Sequence, residues 1–159
     1  MSFLIDGYNL MHAIKACDEL FAPVDDVTLC ERIEYYLQKT STTGTVVFDG
    51  IGPPDKRGLH NSACLSVIFS GAHIEADTVI EHKIDTCKNT AKLTVVSNDR
   101  RLRNAAKNSK AVSMLCIDFW NAVQTYWCAP CKKTEPPAKQ QGLNQHQTNQ
   151  WLDIFGIND

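Results

Sequence analysis

Residues 93–101 read LTVVSNDRR, and this stretch decides the fold. Leu93–Val96 is a short apolar, β-branched run, closed by Ser97-Asn98-Asp99. An amphipathic surface strand would alternate with polar residues. A near-continuous apolar run instead marks a strand covered on both faces, as in a parallel sheet. The same design recurs on either side. Residues 2–5, SFLI, end at Asp6-Gly7, and Thr45–Phe48 ends at Asp49-Gly50. Cys64–Phe69 ends at Ser70-Gly71, and Val112–Cys116 is the fifth run.

Helical periodicity fills the gaps. Leu10, Ala13, Ile14 and Cys17 recur at helical spacing after Asn9, and a second helix is expected over 26–39. A third is expected over 75–88, with Ala76, Val79, Ile80, Ile84 and Cys87 toward the sheet. A fourth follows Asp99 to about Asn108, and Phe119–Trp127 forms a last one with Asp118 as its cap. Residues 51–62, IGPPDKRGLHNS, hold two prolines and two glycines and are read as a loop. Strand and helix alternation predicts an α/β protein: a parallel sheet of about five strands between two helical layers.

The length of 159 residues suits one domain with a substantial core. A net charge of -2 announces no nucleic acid, but a basic track beside an acidic pocket cancels in such a sum. The seven cysteines are odd in number and irregularly spaced, which predicts free thiols in a reducing, cytoplasmic setting. Asp6 interrupts any apolar leader, and no apolar run reaches the length of a membrane span. The domain is expected over residues 1–128. Residues 129–150 are rich in Lys, Gln, Asn and Pro and read as a polar linker. Residues 151–156, WLDIFG, are read as a docking tail for the domain itself, a second copy or a protein partner. Cys128 and Cys131 have redox or half-zinc spacing, yet no second pair follows, so they are expected to end the last helix.

The carboxylates carry the chemistry. Sites in open parallel sheets form beyond the carboxyl ends of the strands. Asp6, Asp49 and Asp99 each follow a strand, which is more than turn chemistry requires. Asp77 falls in the first turn of the third helix, and Glu81 lies one turn on along the same face. Glu75 opens that helix, as a cap or as an outer member of the set. Oxygen-only ligands suit Mg²⁺ or Mn²⁺, which orient water and neutralise charge on a phosphate. Arg100, Arg103, Lys107 and Lys110 recur at helical spacing beside Arg101, a track for a phosphate backbone. Lys56 and Arg57 lie in the long loop, and Tyr8 is placed to stack on a base or to pack.

Four segments together, LIDGYNLMHA at 4–13, VVFDG at 46–50, EADTVIE at 75–81 and VVSNDRRLR at 95–103, resemble the NYN domain family of bacterial YacP-like proteins. That family belongs to the PIN-like nuclease superfamily. The resemblance spans roughly residues 1–128 and implies a Rossmann-like three-layer fold and a metal-dependent endoribonuclease. It assigns the acidic motif positions to Asp6, Asp77 and Asp99, with Asn9, Asp49, Glu81 and Asn98 in support. It implies single-stranded RNA as substrate, mRNA on the ribosome in one branch, and products with 5′-phosphate and 3′-hydroxyl ends. On this reading Asp6, Asp77, Asp99 and Glu81 surround Mg²⁺ or Mn²⁺, and Arg100, Arg101 and Arg103 hold the backbone. Three alternatives stay open: a metal-dependent phosphatase, although the second acid of a DxD pair is missing at Tyr8, an RNA- or ribosome-binding module without catalysis, and a structural partner whose tail serves as a docking peptide.

Overall fold

The computed structural model describes residues 1–17, 24–53, 59 and 61–127. Five strands, β1 (Ser2–Asp6), β2 (Thr43–Phe48), β3 (Leu65–Phe69), β4 (Leu93–Val96) and β5 (Val112–Met114), form one sheet in the order β3-β2-β1-β4-β5. Every pairing is parallel. The helices are α1 (Gly7–Cys17), α2 (Asp26–Thr40), α3 (Ala76–Thr86), α4 (Arg100–Asn108) and α5 (Cys116–Trp127).

The period-2 alternation of strand side chains divides the core into two layers. Phe3, Ile5, Val46, Phe48 and Val96 join α1, α2 and α5 through Leu10, Ile33, Leu37 and Phe119. Leu4, Val47 and Val95 point the other way, onto Ile80 and Ile84 of α3 and Leu102 of α4. Because the sheet is parallel, all five strands deliver their carboxyl ends to one edge. The chain runs outward from β1 to β2 and β3, then crosses back to β4 beside β1. The order therefore reverses between β1 and β4, where crevices form in such sheets.

Several boundaries differ from the sequence expectation. Helix α1 begins at Gly7 rather than near Asn9, because Asp6 caps it: its Oδ1 accepts the Asn9 N–H at 3.1 Å. The fifth strand stops at Met114, and Cys116 opens α5. The Cys116 N–H is satisfied by the Asn98 side-chain oxygen at 3.0 Å, so a group from another element starts this helix and Asp118 sits inside its first turn. Lys110 lies beyond α4 at φ 60°. Its N–H reaches the Lys107 carbonyl and the Ala111 N–H reaches that of Ala106, a Schellman closure that ends the basic stripe at Lys107.

Candidate active site

Asp6, at the end of the central strand, is only 7% exposed. Its Oδ1 is held by the Asn9 N–H, and its Oδ2 accepts the Ser97 hydroxyl at 3.2 Å. Ser97 Oγ in turn accepts the Asp99 N–H at 3.0 Å. The Asn9 side-chain oxygen accepts the Asn98 N–H at 3.3 Å and the Cys116 thiol at 3.7 Å. Four elements (β1, α1, α5 and the turn after β4) are thus tied into one polar lattice. Asp99 is the N-cap of α4, its Oδ1 accepting the N–H groups of Arg101 and Leu102.

Asp49 follows β2 and organises the other half. Its Oδ1 accepts the Ser70 hydroxyl at 2.9 Å and the Ala76 N–H at 3.1 Å, fixing the start of α3 against the sheet. Asp77 lies in the first turn of α3. Asp6, Tyr8, Asp49, Glu75, Ala76 and Asp77 line a cavity of about 270 Å³. One turn along, both Glu81 oxygens receive the Arg101 guanidinium at 2.7 Å.

The electrostatics centre on Asp77. Burial raises its carboxyl pKa, and the charges of Asp99, Glu75 and Glu81 add to this, opposed by Arg101. Burial also raises Asp6, helped by Asp77 and resisted by the hydrogen bonds from Asn9 and Ser97. Mutual repulsion of this kind is what a bound cation relieves. The donors are all oxygen, which suits a hard ion. As the side chains stand, no three His, Cys, Asp or Glu groups among the described residues converge on one ligand position. Mg²⁺ keeps several waters and takes one or two carboxylates in such sites, so the residues fit a largely hydrated ion rather than a protein cage.

The remaining sequence candidates fall as follows. The Tyr8 ring is 37% exposed and packs edge-on against Phe48 at 5.3 Å, so packing and access to the cavity coexist. Arg100 is exposed at the start of α4, Arg103 is half-buried, and Arg101 is committed to Glu81. Lys56 and Arg57, the Cys128–Cys131 pair, the linker and the tail lie outside the described residues. The sequence reading did not single out Ser97, Ser70 or Cys116. Ser97 and Ser70 stand directly after strands, the signal that marked the acids. The part played by Cys116 depends on a turn 18 residues away and left no local signal.

The YacP-like NYN domain profile matches residues 3–154 of this sequence. The chain belongs to that family. The YacP-like NYN domain is a ribonuclease-type domain, and its α/β architecture is the one described above. Among solved structures, the fold is similar to Rae1 (YacP) from Bacillus subtilis, with 22% identity and a TM-score of 0.64 over 80% of this chain and 75% of that one. The W164L mutant of the same protein gives 24% identity and a TM-score of 0.61, covering 80% and 76%. No curated protein sequence matches this chain. Among the described residues of this YacP-like domain, no helix is long and apolar enough to cross a membrane.

Proposed function

We propose that this YacP-like domain is an endoribonuclease that hydrolyses phosphodiester bonds of single-stranded RNA with the help of Mg²⁺ or Mn²⁺. The observation that carries the reading is that Asp6, Asp49 and Asp77 line one cavity at the carboxyl edge of the sheet. Carboxylates gathered beside a phosphate only repel it unless a cation stands between them.

Asp6 and Asp77 are the residues best disposed to hold the ion, with Asp49 and Asp99 completing the negative surround through water, while Glu81 is occupied by Arg101. A divalent ion, when bound, offsets the charge that builds on the phosphoryl oxygens and makes water a better nucleophile. Ser97 and Asn9 keep the Asp6 carboxylate in one orientation. Asn98 fixes the turn that carries Asp99. Arg101, anchored by Glu81, puts a positive charge at the rim of the acid cluster, and exposed Arg100 extends it toward an approaching backbone. Messenger RNA engaged by the ribosome is the substrate setting to test first.

The test is cleavage of end-labelled RNA with Mn²⁺ by the native chain and by D99N. Asparagine caps helices as well as aspartate, so D99N keeps α4 intact. Cleavage leaving 5′-phosphate ends in the native chain and a fall of about a hundredfold or more in D99N are expected. Equal cleavage by both folded proteins rejects the reading.

A further inference from the structure

Beside the acid cavity lies a second, larger cleft of about 520 Å³ between the exits of β2 and β3. It shares Asp49 and Glu75 with the first, so the two adjoin. Its shape comes from glycine. Gly50 and Gly71 adopt φ values of 85° and 93° and form an antiparallel bridge, with the Gly71 N–H donating to the Gly50 carbonyl at 2.8 Å. A Cβ on either would meet nothing within 4 Å, so the absent side chains leave open space. Ile51 and Ile74 line the cleft and are 71% and 51% exposed. His73 lines it as well. Glu75 stands at the N-cap position of α3, yet its side chain makes no capping hydrogen bond.

Two exposed isoleucines beside an acidic rim make an unusual surface. The apolar faces favour a flat, weakly hydrated group over a phosphate, and the acidic rim offers hydrogen-bond acceptors. The volume falls in the usual range for small-molecule sites, about 300–1,000 Å³. What suits all three features is the neutral part of a nucleotide whose phosphate lies in the neighbouring cavity.

We propose that this cleft is a nucleobase subsite, holding the base of a nucleotide that flanks the cleaved bond. Ile51 and Ile74 contact the faces of the base, and His73 and Glu75 meet its edge. Because a carboxylate only accepts hydrogen bonds, Glu75 meets a donor edge of the base, either an exocyclic amino group or a ring N–H. The subsite gives the nuclease a local preference at one position. It rests on the nuclease reading for its natural substrate, but not for its ability to bind a base.

The experiment therefore has two arms on the full chain. In the first, Ile methyl NMR signals are followed during titration with adenosine and with uridine, neither of which carries a phosphate. Saturable shifts of Ile51 and Ile74 are expected with both nucleosides; I51A/I74A should lose them and E75A should weaken them. In the second, RNA with an abasic nucleotide at each position flanking the cut is compared with intact RNA. At one position the native chain should lose about tenfold in kcat/KM, and I51A/I74A should be indifferent to the missing base. Unmoved methyl signals, or an abasic penalty equal in both proteins, overturn the subsite. Equal affinity for the nucleosides in E75A and the native chain overturns the role given to Glu75. Methyl shifts with adenosine in a chain that cuts no RNA overturn the nuclease reading and leave the base site standing.

Discussion

The exits of β1 and β4 and the exits of β2 and β3 lie on one edge of one sheet, yet they end in opposite ways. At β1 and β4 the chain is closed in: Asp6 is buried, and Asn9, Ser97, Asn98 and Cys116 spend their polar groups on one another. At β2 and β3 the chain opens on positive-φ glycines and exposed isoleucines. Asp49 and Glu75 line the cavities on both sides, and Asp49 grips Ser70 and the start of α3. The contrast separates two tasks. Chemistry needs carboxylates held within narrow limits. Accommodation of varied substrate groups needs room.

The largest effect that tests this contrast is on activity at the closed side. D6N should cut RNA cleavage by on the order of a thousandfold while the protein stays folded, checked by cleavage rate and thermal unfolding together. Asparagine can still accept the Asn9 N–H, and its amide can donate to Ser97. Asp6 also leaves a mark on stability. Its folded pKa lies above the ordinary 3.8, so the folded chain holds the proton more tightly than the unfolded one. The resulting stabilisation is complete below the ordinary value and is lost as pH rises through the raised one. In EDTA, the native chain should therefore lose stability relative to D6N as pH rises across that window, measured by denaturant unfolding at several pH values. A difference that is flat with pH would show that burial does not burden this carboxylate.

The glycines on the two sides sharpen the comparison. A Cβ at Gly7 would clash with the fully buried Phe48 ring. G7A should cost about 1–3 kcal/mol by overpacking, read from the denaturation midpoint. G50A meets no atom and pays only for its left-handed backbone, about 1–2 kcal/mol. If G50A proved the costlier, backbone conformation on the open side would outweigh packing on the closed side. The smallest effect is expected at the rim. The Arg101–Glu81 pair is 54% and 27% exposed, so E81A should change stability by less than about 1 kcal/mol. Its consequence belongs in catalysis, as a raised KM for RNA when Arg101 loses its anchor.

The sheet was legible because β-branched runs and the acids after them are local signals. Asp6, Asp49 and Asp99 could be picked out for the same reason: each follows its strand at once or within a few residues. What could not be read depends on elements meeting in space. The Arg101–Glu81 pair needs α3 packed beside α4. Without that packing, both residues looked like free ligands for an ion and a phosphate. The early start of α5 needs the Asn98 side chain, 18 residues back. Lys110 kept helical spacing in the sequence, but the chain had already turned to φ 60°.

The strand order also sets a timetable for synthesis. The first strand made is the middle one, and its second neighbour, β4, is not reached until residue 93. A growing polypeptide thus carries Asp6 and Asp77 for some while before the segment bearing Ser97 and Asp99 emerges to complete the set. The acid set is therefore complete only once the turn after the fourth strand has been made.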